Sequence, residues 1–211
     1  MRAVVDYQDE RLEIDVPDDR VIGSFQGPPG IDGEHLDAAL SEALESPRDF
    51  PPVSKMLVPG DRVAIALDSE LPDAGRVLSV LVAVVRDAIG QEGQLTVVAT
   101  PERGKDLEAE IPAGVEFVVH DPSDQSRIAY LASTKNGRRV YLNRHLTDAD
   151  VVIPVGELRF DPNLEYRGPW SVIFPGLSDE ATRKEFQKPA ATAASPKQTK
   201  EPAAPNRVDE S

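Results

Sequence analysis

The chain has 211 residues, no cysteine, three histidines and a formal net charge of −14. That length allows a sizeable core, and a hydrophobic content of 40% is too apolar for a wholly disordered chain. Without cysteine there can be no disulfide framework, thiolate zinc site or cysteine nucleophile, and three histidines leave little for a histidine-rich metal centre.

Charge narrows the partners further. Gln187 to Ser211 carry four basic and three acidic groups, which leaves −15 on the body up to Phe186. Such a body repels DNA, RNA and anionic bilayers, so neither nucleic acid nor membrane is expected as a partner. No apolar run reaches the length of a membrane span, and the acidic start MRAVVDYQDE does not read as a signal peptide. A soluble cytoplasmic protein is expected.

In chain order, RAVVDY, QDE and RLEIDV predict an N-terminal hairpin of two short strands. Gly27 to Gly30 (GPPG) predict a rigid break. Asp32 is placed to cap a helix running through Leu36, Ala39, Leu40 and Leu44 and ending at Ser46-Pro47. After Phe50-Pro51-Pro52 and a short apolar turn, Arg62 to Leu67 (RVAIAL) form a continuous apolar run of strand length. A helical pattern follows over Gly75 to Ile89, then apolar strands over Gln94 to Ala99 and Val115 to Val119. Strand, crossover helix and strand predict a βαβ unit whose parallel sheet is buried on both faces. Ile128 to Thr134 and Arg139 to Asn143 flank Asn136-Gly137, a hairpin signal. Asp150 to Val155 supply one more buried strand. Ser178 is expected to cap a last helix, with Asp179 and Glu180 in its first turn. The fold class expected is α/β, a Rossmann-like three-layer domain over residues 1–186 with a mostly parallel sheet. Residues 187–211, rich in Ala, Pro and Lys, are expected to be a disordered tail.

Open α/β sheets bind ligands beyond the carboxyl ends of their strands. The candidates there are Asp68, Thr100, Glu102 and Arg103, with His120, Asp121, Arg159 and Arg167. Each admits a plainer reading. Asp68, Ser69 and Glu70 can take a cation or ligand hydroxyl, or can cap the following helix. Thr100 to Lys105 (TPERGK) can hold a phosphate or be a solvated loop, and they lack the glycine spacing of a P-loop. His120 can be a polar contact at the sheet edge, with Asp121 capping a turn. Trp170, the only tryptophan, fits core packing or a contact surface. His35 and His145 read as structural or solvent-facing.

The segment Val151 to Gly176, VVIPVGELRFDPNLEYRGPWSVIFPG, combines a strand, a glycine, a polar loop and an apolar run closed by Pro175-Gly176. It resembles the core of the nickel-dependent lactate racemase family (LarA-like proteins). There the pattern is a strand, G-x-I-E-P-H, a glycine-rich run ending in lysine, an apolar stretch and P-G. The resemblance extends over roughly Arg11 to Gly176. LEIDVPDDRVI is similar to the family's lead strand, and VPGDRVAIAL to its K-P-G-D-R-V-A-I-V-V strand. His120-Asp121 stands at N-H-D, LASTKNGRRVYLN follows the family hairpin, and ADVVI follows its A-D-x-V-I strand.

The resemblance implies a Rossmann-like N-terminal domain and, in the family, racemisation of 2-hydroxy acids with a nickel-pincer nucleotide. This chain departs where that chemistry sits. Leu71 stands at the substrate arginine, and where the family has G-T-H-R, with a catalytic histidine, the run Ala99-Thr100-Pro101-Glu102-Arg103 has none. Asp161 stands at the second catalytic histidine and Ser171 at the lysine that tethers the cofactor. No histidine follows His145 to ligate nickel, and the family's C-terminal domain has no counterpart. The expectation is a non-catalytic binding or interaction module. It would have no cofactor, no metal and no confident catalytic residue, and a protein or small molecule as its unknown partner. The alternative is a divergent isomerase using Asp161, or one half of a split enzyme.

Overall fold

A computed structural model describes residues 2–7, 10–23, 30–135, 137, 139–159 and 168–186. The expectations for Gly27 to Pro29, Asp161, Arg167 and the tail therefore lie outside the described residues. Contacts group the chain into two compact units, Met1–Leu36 and Asp37–Ser211. In the first, strands β1 (Arg2–Tyr7) and β2 (Glu10–Asp15) pair antiparallel, with Arg2 opposite Asp15. Helix α1 (Gly33–Glu45) starts as its sequence predicts: the Asp32 carboxylate accepts the His35 N–H at 3.0 Å.

The second unit is built on a four-stranded parallel sheet in the order β5-β4-β3-β8. Its strands are β3 (Arg62–Leu67), β4 (Gln94–Ala99), β5 (Glu116–Val119) and β8 (Val151–Val155). The alternation of β3 shows why apolar residues dominate both faces. Ile65 and Leu67 pack with Val97 against helix α3 (Ala74–Ile89), which buries Leu78, Val85 and Ile89. Ala64, Ala66 and Val98 face the other way, onto Leu146 of the short helix α4 (Arg144–Thr147) and onto Val172 and Leu177. Each fully buried aliphatic side chain contributes about 1.5–3 kcal/mol, so these two clusters carry the stability. The result is the expected α/β architecture of three layers.

Helix α3 stops at Gly90, whose φ of +70° is open to glycine at little cost and whose N–H reaches the Arg86 carbonyl at 3.0 Å. A one-turn helix, α2 (Val53–Met56), precedes β3. Strands β6 (Ile128–Ser133) and β7 (Arg139–Asn143) form the expected hairpin, with Gly137 at φ +74° in its turn. A single turn of helix, α5 (Pro169–Ser171), leads through an irregular wound segment, Val172–Gly176, to helix α6 (Glu180–Phe186).

Two capping expectations are corrected. Ser178 does not cap α6: its hydroxyl donates to the Pro175 carbonyl at 2.6 Å. Asp179 takes that place, its carbonyl accepting the Arg183 N–H and its carboxylate the Thr182 hydroxyl. Nor do Asp68 and Glu70 cap α3. The residue before that helix is Asp73, in the left-handed region at φ 51°, without a side-chain cap bond. Core packing of Trp170 is also overturned, since that side chain is 72% exposed.

Candidate functional site

Strand order places a topological switch point between β3 and β8. The chain winds outward through β4 and β5, then returns to the far side of β3. The crevice beyond the carboxyl ends of β3 and β8 is where such sheets bind ligands. Hydrogen bonding carries the ladder one residue past the strands. The Asp68 N–H reaches the Val155 carbonyl, that of Thr100 the Leu67 carbonyl, and that of His120 the Ala99 carbonyl, at 2.9, 3.0 and 2.9 Å. Asp68, Thr100 and His120 thus form one buried polar row across the edge.

From this row the side chains bond inward to one another. The Ser69 N–H donates to Thr100 Oγ1 at 3.0 Å, and the two hydroxyls lie 2.9 Å apart. The Arg103 N–H donates to Ser69 Oγ at 3.0 Å, and Gly104 just beyond it is buried, so the TPERGK segment is packed at its centre. Glu102 pairs with Arg183 of α6, which also donates to the Gly176 carbonyl. Burial pushes the Glu102 carboxyl up. Its own backbone N–H, the Arg183 guanidinium and the Thr100 hydroxyl outweigh that and hold it below the usual carboxylate range.

His120 is the most constrained of the set. Asn143 Oδ1 accepts the His145 N–H at 3.0 Å, so the Asn143 amide nitrogen must face His120 Nδ1, also at 3.0 Å. An amide nitrogen only donates, so Nδ1 accepts and the ring proton sits on Nε2, which donates to the Ser178 carbonyl at 2.9 Å. Burial pushes the imidazole pKa down, and the Arg183 charge adds to it. The Ser178 carbonyl, Asp121 and Glu102 only partly oppose this. Asp121 itself is exposed and closes a turn, accepting the Ser123 N–H and hydroxyl at 2.9 and 2.7 Å.

Across the switch point, Arg159 donates to Glu70 at 2.8 Å and lies 3.9 Å from Glu157. Arg103 lies 3.6 Å from Asp106. Arg103 and Arg159 therefore already face carboxylates. Gly156 is held close: a Cβ there would stand 2.9 Å from Val172 Cγ2 and 3.3 Å from Asp68 Cβ. Ser171 is half-buried, its hydroxyl oxygen accepting the Gly168 N–H at 3.3 Å. Among the described residues no group of three or more His, Asp or Glu could hold a metal ion.

Beside the crevice, within the second unit, lies an apolar cavity of about 340 Å³ lined among others by Leu40, Leu44, Leu71 and Pro169. Leu158 and Trp170 are exposed nearby in sequence, at 65% and 72%. The sequence reading had not singled out Arg183 or Asn143. No local pattern marks them, because their partners Glu102 and His120 lie 81 and 23 residues away.

The comparisons with known proteins agree with this architecture. A family model described as the lactate racemase N-terminal domain matches residues 7–192. Among solved structures, the lactate racemase apoprotein from Thermoanaerobacterium thermosaccharolyticum is similar, at 18% sequence identity and a TM-score of 0.65. The match covers 85% of this chain and 44% of that one, so the chain spans less than half the length of that relative. At such identity the likeness shows the fold. No curated protein matches the sequence. Among the described residues no helix is long and apolar enough to cross a membrane.

Proposed function

The chain belongs to the lactate racemase N-terminal domain family, and on that premise we propose that it is a non-catalytic binding or interaction module. One observation carries the reading. At the position where the family resemblance puts the cofactor lysine stands Ser171, a hydroxyl engaged with the Gly168 N–H. It has no amine with which to tether a nickel-pincer nucleotide, so the residues present do not fit that group. Two further features support the reading. Leu71, at the family's substrate arginine, lines the apolar cavity. The side chains along the carboxyl edge bond to one another, and Arg159, which could hold a substrate carboxylate, is paired with Glu70. Exposed Trp170 and Leu158 beside this edge suit contact with a protein partner.

The test is native mass spectrometry with metal analysis on protein purified from its own host, together with a lactate titration by ligand-observed NMR. Unmodified mass, no stoichiometric nickel and no saturable lactate binding at millimolar concentration are expected. A mass raised by a covalent nucleotide, or saturable lactate binding lost in Arg159→Ala, would overturn the reading.

A further inference from the structure

The amino edge of the sheet, opposite the crevice, holds a second polar group of residues. The register aligns Ala64 with Thr96 and Thr96 with Glu116, so the three share one rung. Two residues further along each strand, on the same face, the rung reads Ala66, Val98 and Val118, all buried. One face of one sheet thus changes from apolar to polar within a single step. Thr96 is nearly buried and donates to Glu116 at 2.8 Å. Beside this polar rung is a cavity of about 290 Å³, walled by Arg144, His145 and Asp148 at α4.

The wall groups are held in place but not used up. Asn143 Oδ1 takes the His145 backbone N–H and fixes the start of α4, while the ring lines the cavity. Arg144 donates from Nε to the Ser126 carbonyl at 3.4 Å, and the Thr147 hydroxyl lies 3.5 Å from Asp148 Oδ1. Arg62 at the rim is different: it is committed to Asp150 by bonds of 2.9 and 3.2 Å. The cavity therefore offers a guanidinium, an imidazole and the Asp148 carboxylate at α4, with the Glu116 carboxylate on the sheet. Small size and opposed charges exclude an extended apolar ligand and a simple anion.

We propose that this cavity binds a small zwitterion, of the class of free α-amino acids. Its ammonium faces Glu116 on the sheet and its carboxylate faces Arg144 and His145 at α4. A ligand lacking either charge engages only half of the lining and binds more weakly. The inference stands apart from the carboxyl-edge reading, because none of its residues belongs to that edge.

The test is a titration of the full chain with the standard amino acids, followed by backbone amide shifts in heteronuclear NMR. Alanine is compared with lactate, which lacks the ammonium, and with ethylamine, which lacks the carboxylate. At least one amino acid should give saturable shifts at Thr96, Glu116 and His145, and its hydroxy-acid and amine analogues should bind at least about tenfold more weakly. Glu116→Gln and Arg144→Gln, both at exposed positions, should each weaken binding at least about tenfold with the melting temperature unchanged. The absence of saturable shifts at tens of millimolar of every amino acid would overturn the proposal. So would an amine or hydroxy acid binding as well as its amino acid, or binding indifferent to both substitutions.

Discussion

At the carboxyl edge of the parallel sheet, Thr100 and His120 bond to Ser69, Asn143 and Ser178, and Glu102 pairs with Arg183. At the amino edge, Thr96 and Glu116 bond to each other and then face a cavity walled by Arg144, His145 and Asp148. The two edges draw on the same residue types and differ in what surrounds them. Where the wound segment Val172–Gly176 and helix α6 fold back over the strand ends, polar side chains become structural ties. Where only the four-residue helix α4 approaches, a space is left for solvent or a ligand. A polar residue at a sheet edge is thus informative about function only once its cover is known.

The comparison can be broken by substitutions whose expected effects fall in order. The largest is at His120. Truncation to alanine leaves the Asn143 amide and the Ser178 carbonyl unpaired in a buried site, each worth about 1–3 kcal/mol, so His120→Ala should lower unfolding free energy by about 3 kcal/mol in urea. A loss below about 1 kcal/mol would show that the carboxyl edge is not tied as described. Arg183→Ala comes next. Its side chain is only 12% exposed and joins α6 to Glu102 and to Gly176. Hydrogen bonds to charged groups suggest a loss of about 2 kcal/mol.

Acidification sharpens the contrast. Burial depresses His120 in the folded state, so the native protein binds fewer protons than the unfolded chain. The contribution is present above the unfolded histidine value of about 6.5 and declines as pH falls below it, at no more than about 1.4 kcal/mol per pH unit. Equilibrium unfolding of wild type and His120→Gln between pH 7 and pH 5 should show that slope in the wild type alone. Equal slopes would remove His120 as the cause. The smallest effect belongs to the amino edge, where the Arg62 side chain holds the Asp150 carboxyl down to about 2. Its contribution is present above the unfolded aspartate value of about 3.9 and is lost between there and about pH 2. Asp150→Asn should therefore be nearly silent at neutral pH, because the pair is exposed and screened. A melting shift as large as that of Arg183→Ala would contradict this.

What the sequence by itself determined is the scaffold. Continuous apolar runs at Arg62 to Leu67 and Gln94 to Ala99, the period of α3 and the glycine at position 137 each encode local structure through periodicity and backbone preference. The motifs of Val58 to Leu67 and Leu131 to Asn143 carried the family. The residue types at Ser171 and Leu71 were legible without coordinates: serine carries no amine and leucine no guanidinium. Tertiary structure decided the rest, and for one reason: pairing across long sequence separation leaves no local mark. Glu102 became half of a buried tie because α6 delivers Arg183 to it. His120 became a neutral, two-bonded ring because Asn143 is turned by α4. Ser178 lost its expected capping role because the chain reaches α6 through a wound turn that draws its hydroxyl back to Pro175. Trp170, on the single turn of α5, is exposed, which no local pattern in the sequence decided. The polar pair of Thr96 and Glu116 comes from two strands, and only the register sets them side by side.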